Sequence, residues 1–231
     1  MVSGVFLKSM AQAKLRIDVL PRATAKALEY FTQFPPMKES SWYLAGGTAL
    51  ALQAGHRQSV DLDFFVTSAT PDMSVLETDL QATGKWETTS TARGTLYGLF
   101  DNAKVSFIAY PFFTPACDFI LNGNVRILDA RDIAVMKVIA ISQRGRKRDF
   151  VDLYWYAKNK EPLEQIMSRV PTQYPNQKHN FPHFFKSLTY FVDAEEDSTP
   201  ELYFEASWEE IKKFFQTEVP ILARRLILDK N

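Results

Sequence analysis

Residues 60–66 read Val-Asp-Leu-Asp-Phe-Phe-Val. The alternation predicts a β-strand, in which side chains two residues apart leave the same face. Asp61 and Asp63 then share one side, while Val60, Leu62 and Phe64 share the other. Adjacent carboxylates repel each other, so an otherwise apolar strand gains no packing from them. The pattern calls for a sheet with one face covered by core and the other open beside the acids. Two readings of the acids fit: an edge strand that turns them to solvent, or a site for one hard divalent cation and its phosphate ligand.

Upstream, the apolar run 42–45 is stopped by Gly46-Gly47, and residues 48–54 are strong helix formers closed by Gly55. This predicts strand, glycine turn, helix. Glycines at such a joint let a phosphate approach the backbone and meet the free N–H groups and positive dipole end of the helix. The Thr48 hydroxyl suits the same task. A tight turn with Thr48 as an ordinary N-cap is the plainer alternative. Taken together, the glycine turn and the paired acids reinforce one another as a single nucleotide site, with Gly46, Gly47 and Thr48 at the phosphates and Asp61 and Asp63 at the metal.

Around this unit, residues 20–34 predict an amphipathic helix ended by Pro35 and Pro36, and residues 71–82 a short helix. Strands are expected over 85–92, 95–100 and 104–110, the last two joined by an Asp101-Asn102 turn. The result is a mixed sheet of about five strands with helices on it. From Asp129 the periodicity becomes helical, over 129–143, 148–158, 161–170, 181–192 and 207–228. The fold class expected is α+β, with an α/β domain over residues 1–128 and a helical domain over 129–231. The five aromatics within 181–191 are read as core packing.

With 231 residues, 46% of them hydrophobic and 23% charged, the chain can bury a substantial core. Its one cysteine, Cys117, excludes an intramolecular disulfide and offers no Cys/His spacing for zinc. That fits a reducing compartment, so a cytoplasmic location is expected. Neither a signal peptide nor a membrane-spanning segment is expected, because the first sixteen residues lack a long apolar run and the uncharged stretch 40–55 is interrupted by Gly46, Gly47 and Gln53. Lysine plus arginine and aspartate plus glutamate number 27 each, so any attraction for nucleic acid must be local. The run Arg144, Arg146, Lys147, Arg148 is the candidate RNA contact, with a solvated loop as its alternative.

Lys137 sits in the apolar run 133–141, on a helix expected to be buried nearly all round. It needs a partner there. A structural ion pair with Asp149 or Asp152, a side chain reaching out to water, and neutralisation of nucleotide phosphates are the three roles open to it. Asp149 and Asp152, three apart, share a helix face. They can orient Lys137, sit in a solvated first turn favoured by the helix dipole, or help activate an acceptor.

The stretch 44–65, with its glycine pair, thirteen intervening residues and Asp61-Leu62-Asp63, resembles the signature of the nucleotidyltransferase superfamily to which DNA polymerase beta belongs. More closely it resembles the AbiEii/AbiGii toxin family, in which His56, Arg57 and Ser59 accompany the acids. A second block, Met136-Lys137 with Arg144 and then 148–154, resembles that family's downstream motif. The resemblance implies a nucleotidyltransferase-like sheet followed by a helical domain, and transfer of a nucleoside monophosphate from an NTP with Mg2+ or Mn2+. It implies Asp61, Asp63, Lys137 and Asp149 as catalytic residues, tRNA or a protein hydroxyl as acceptor, and a cognate antitoxin as partner. One departure stands out. Many superfamily members carry a third carboxylate on a neighbouring strand, and the matching strand here presents Ser106, which cannot act as a base at neutral pH. Two other functions therefore stay open: transfer to a small molecule, and a degenerate fold kept as a nucleotide-sensing or protein-binding module.

Overall fold

The structure, a computed structural model, describes residues 15–228. The opening residues, where no signal peptide is expected, lie outside that range except for the last two. The described chain holds seven strands, β1 (Tyr43–Ala45), β2 (Leu62–Val66), β3 (Trp86–Ala92), β4 (Thr95–Phe100), β5 (Ala103–Ala109), β6 (Ile120–Asn122) and β7 (Val125–Ile127). Its first four helices are α1 (Arg22–Phe31), α2 (Pro35–Glu39), α3 (Gly46–Ala54) and α4 (Met73–Ala82). After the sheet come α5 (Ala130–Arg144), α6 (Lys147–Asn159), α7 (Leu163–Gln173), α8 (Phe181–Leu188), α9 (Val192–Glu195) and α10 (Trp208–Leu228).

The strands form one mixed sheet in the order β3-β4-β5-β2-β1-β7-β6. β2 runs antiparallel to β1 and parallel to β5, pairing Asp63 with Ala45 on one side and with Ser106 on the other. One face of the sheet carries Leu44, Phe64, Phe107 and Phe100, closed by Phe31 of α1, which packs edge-on against Phe64 with ring centroids 5.2 Å apart. Phe64 and Phe107 stack at 5.1 Å. The opposite face carries Asp63, Phe65, Ser106, Ile108 and Tyr97, and it stays partly open. α5 lies against α3, and α6, α7 and α8 pack on α5. Buried side chains from Val19 to Leu222 belong to one continuous core. No helix among the described residues is long and apolar enough to cross a membrane.

Four expectations change. The sheet has seven strands because residues 120–127 fold into a β6–β7 hairpin turning at Gly123, whose φ is +57°. Pro35 and Pro36 do not end a helix but begin α2, since a fixed φ and a missing N–H suit the first helical turn. β2 starts at Leu62, so Asp61 lies on the approach to the strand, and Val60 is 46% exposed instead of joining the buried face. The helix expected over 181–192 breaks after Leu188 into α8 and α9. The aromatic run does pack inward, with Phe184, Phe185 and Phe191 buried.

Candidate active site

At the β1–α3 joint Gly46 holds a φ of +70°, a conformation strained for any residue with a side chain. A Cβ on Gly47 would collide with Arg57 Nη2 and sit 3.4 Å from Asp152 Oδ2. The second glycine thus makes room for a guanidinium. No side chain caps α3, and its first-turn N–H groups have no partner within the helix. Thr48 is not its N-cap. The buried hydroxyl of Thr48 donates to the carbonyl of Asp61 and lies 2.7 Å from Ser59 Oγ, so it pins the loop that presents the acid and leaves only its N–H for a ligand.

Asp61 and Asp63 both line the same cleft, of about 420 Å³, as Gly46, Gly47, Thr48 and Lys137. Asp61 Oδ1 is buried without a hydrogen-bond partner, while Oδ2 stands 3.5 Å from Arg148 Nη1. Ser106 Oγ donates to Asp63 Oδ1 at 2.5 Å. Burial pushes the Asp63 carboxyl above the usual range; the Ser106 hydrogen bond opposes this and the negative Asp61 adds to it. Among the described residues no group of three or more His, Cys, Asp or Glu side chains could hold a metal. The carboxylate pair could hold a magnesium-sized cation only with phosphate oxygens and water completing its shell, which is how that ion is commonly bound.

Behind the cleft lies a charged cluster whose members, Arg144 apart, have almost no access to solvent. Asp152, fully buried, accepts from Arg57 Nε at 2.6 Å and Nη2 at 2.9 Å and lies 2.7 Å from His56 Nε2. Lys137 Nζ reaches Asp149 at 2.7 Å and Asp152 at 2.6 Å. Arg144 Nε donates to Asp149 at 3.1 Å. Burial works against the charge on both carboxylates, but Arg57 and Lys137 hold Asp152 well below the usual range, and Lys137 and Arg144 hold Asp149 below it. His56 is pushed down, toward the neutral form, chiefly by burial. Lys137 thus has its ion pairs and also lines the cleft. Asp149, by contrast, faces Lys137 and Arg144 and is not among the residues that line it.

The basic run divides among partners, although Arg146 and Arg148 share a depression beside the cleft. Arg146 pairs with Asp197, and the buried Lys147 donates from Nζ to the Asp197 carbonyl at 2.7 Å. Arg144 and Arg148 line the cleft. The sequence reading passed over Lys104, Tyr97 and Phe65, which also line it. Lys104 and Ser106 alternate on β5, and that period was the available signal; Tyr97 joins them only through its register with Ser106. Residues 56–58 are held by a distant segment, with Gln58 N donating to Glu201 O at 2.9 Å and Tyr203 N to His56 O at 2.8 Å.

Comparison with known proteins adds to this geometry. The family described as "Nucleotidyl transferase AbiEii toxin, Type IV TA system" matches residues 36–93 and 109–226. An uncharacterized protein of Aquifex aeolicus (strain VF5) is 36% identical over 186 residues, covering 78% of this chain and 87% of the relative. Among solved structures, a protein of H. pylori described as a candidate nucleotidyltransferase superposes with a TM-score of 0.52 at 16% identity, over 89% of this chain and 96% of the other. MenT4, a nucleotidyltransferase toxin from Mycobacterium tuberculosis H37Rv, gives a TM-score of 0.52 at 16% identity, over 87% and 86%. At that identity the two structures speak to the fold alone.

Proposed function

Since the chain belongs to the AbiEii nucleotidyltransferase toxin family, we propose that it transfers a nucleoside monophosphate from a nucleoside triphosphate to an acceptor hydroxyl through the cleft at Asp61 and Asp63. The observation that carries this reading is an unsatisfied carboxylate pair. A buried, unpartnered carboxylate oxygen on Asp61 adjoins a second carboxyl that burial drives toward neutrality, and buried polar atoms rarely stay unsatisfied. Asp61 and Asp63 would hold Mg2+ or Mn2+, which when bound supplies neutralisation and polarisation of the triphosphate.

The chain's own groups supply the rest. First-turn N–H groups at Gly46, Gly47 and Thr48 bind phosphate oxygens with the positive end of α3. Lys137, fixed by Asp149 and Asp152, places a compact charge near the departing phosphates. The acceptor oxygen bonds to the α-phosphorus as the bond from that phosphorus to its bridging oxygen breaks. Pyrophosphate leaves with the electron pair, and the hydroxyl proton passes to solvent in the open cleft. Asp149 acts here as a positioning residue for Lys137 rather than as a base, because its charge is already committed to Lys137 and Arg144.

The proposal extends to tRNA or a protein hydroxyl as acceptor, a cognate antitoxin as partner, and a cytoplasmic location. The type IV toxin-antitoxin description of the family supports the antitoxin, and the single cysteine supports the location. Ser106 in register with Asp63 favours a second reading, a nucleotide-binding module without transfer. Calorimetric titration of a nucleoside triphosphate tests what both share: binding should require magnesium, and equal affinity in chelator would contradict the assignment of Asp61 and Asp63. Label from an α-labelled triphosphate then separates the readings. It enters RNA or protein in the first, a small hydroxylated compound in an antibiotic-modifying type of enzyme, and no acceptor in a binding module.

A further inference from the structure

Arg148 is held differently from the other arginines of the cleft and from Lys137. Arg57, Lys137 and Arg144 are each tied to Asp149 or Asp152, at 2.6 to 3.1 Å. Arg148 extends instead to the acid pair itself, with Nη1 3.5 Å from Asp61 Oδ2. A strong charge-assisted hydrogen bond is shorter, at roughly 2.7–2.9 Å, and the Arg148 side chain is 46% exposed. The contact therefore offsets part of the Asp61 charge without fixing the guanidinium. It also leaves the buried Asp61 Oδ1 without a partner.

The backbone beneath this side chain is anchored. Asp197 Oδ2 accepts from the backbone N–H of Lys147, the first residue of α6, at 2.9 Å, and the Asp197 carbonyl accepts from Lys147 Nζ at 2.7 Å. Arg146 pairs with the same carboxylate. Across from Arg148, the loop that leads to Asp61 is clasped at residues 56–58 by residues 201–203, through the Arg57–Leu202 bridge and its flanking hydrogen bonds. One segment, 197–203, thus holds both the start of α6 and the approach to Asp61. Between them lies a depression of about 280 Å³, and Arg148 and Asp61 line both it and the cleft. A long, half-exposed arm on an anchored helical turn can pass from the acid to the cleft by rotation about its own bonds, with no backbone shift.

We propose that Arg148 couples metal binding to triphosphate binding: in the free protein it stands against Asp61 in competition with a divalent cation, and when a triphosphate arrives it leaves the acid for the phosphate oxygens. A cation approaching Asp61 by itself meets a positive neighbour and a carboxylate already part-neutralised. With a triphosphate in the cleft, the guanidinium gains acceptors that its planar fork of donors fits in pairs, and Asp61 is released to the metal. Each ligand then tightens the other by the same factor, as linkage requires. The inference rests on the transfer reading above, because it takes Asp61 and Asp63 as the residues that hold the metal. It moves Arg148 from the candidate RNA contacts to the nucleotide site.

Binding of Mn2+ alone, followed by the paramagnetic resonance of the free ion, and calorimetric titration of a nucleoside triphosphate in the presence of Mn2+ test the coupling on the parent, Arg148→Gln and Arg148→Lys. In Arg148→Gln the affinity for Mn2+ alone should rise about two- to fivefold, since a half-exposed ion pair changes an equilibrium by only a few-fold. The affinity for triphosphate should fall about tenfold or more with the loss of a charge-assisted contact. The two affinities thus move in opposite directions, which loss of a merely structural ion pair would not produce. Arg148→Lys keeps the charge and should return Mn2+ binding toward the parent's value, while restoring less of the triphosphate affinity because a point charge lacks the paired donors. The side chain is half exposed, so both variants should melt with the parent. The coupling is overturned if, in Arg148→Gln, either affinity stays at the parent's value or moves the opposite way; a residue that serves only to contact RNA or to support the fold would give that result. The parent keeps the two claims apart. If its triphosphate binding needs no metal, the transfer reading fails and takes the coupling with it; if that binding needs metal and Arg148→Gln is without effect, the coupling alone fails.

Discussion

One ammonium group at Lys137 answers two buried carboxylates, Asp149 at 2.7 Å and Asp152 at 2.6 Å. Removing one member of a buried ion cluster leaves a charge uncompensated, so Lys137→Met should lower stability by about 3–5 kcal/mol, read by chemical denaturation. A loss below about 1 kcal/mol would show that Arg57 and Arg144 suffice for the two acids. Asp63 behaves in the opposite way. Its carboxyl is buried beside Asp61 and gains one hydrogen bond, from Ser106. Asparagine there keeps the volume and the acceptor oxygen but removes the repulsion. In chelator, Asp63→Asn should therefore melt no lower than the parent. A clear drop would mark the pair as structural.

At the scale of elements, the register of β2 on β5 sets Ser106 against Asp63. Ser106→Asp restores the third acid common in the superfamily, but it puts a negative charge where a hydroxyl now donates. The variant should melt below the parent in chelator and gain more from magnesium than the parent does. An unchanged response to magnesium would show that this side chain does not face the cation site. The β1–α3–β2 unit was legible from sequence because its signals are local: a glycine pair, a run of helix formers, and acids two residues apart. The β6–β7 hairpin also has a local signal, Asn122-Gly123 between apolar residues, but its strands are three residues each and too short to declare a period. The Asp152 cluster was legible only in part. Lys137 and the helix spacing of Asp149 and Asp152 are near in sequence, whereas the link from Asp152 to Arg57 spans 95 positions and the clasp of residues 201–203 on 56–58 spans more than that.

At the scale of the molecule, the buried charges give folding a pH dependence of two signs. Asp149 and Asp152 are depressed in the folded state by Lys137, Arg57 and Arg144. Their contribution is therefore complete above the unfolded carboxylate value of about 3.9 and is lost as pH falls through the lower folded values. Asp63 is raised, so its effect is most favourable below about pH 3.9 and turns into a penalty as pH rises through its folded value, until a cation is bound. Melting curves across acid pH should thus show a steep acid limb in the parent and a shallower one in Lys137→Met; parallel limbs would contradict the assignment. These opposed tendencies set a charge-paired cluster behind the cleft against an acid pair within it whose charge is not fully met. The central claim is that the charge on the acid pair, and not its shape, makes the cleft a nucleotidyltransferase site. Its most direct test is the rate at which label passes from an α-labelled triphosphate to acceptor in the presence of magnesium, compared between the parent and Asp63→Asn. A fall of at least about 100-fold is expected for a group stabilising charge in the transition state; transfer by Asp63→Asn at the rate of the parent would contradict the account.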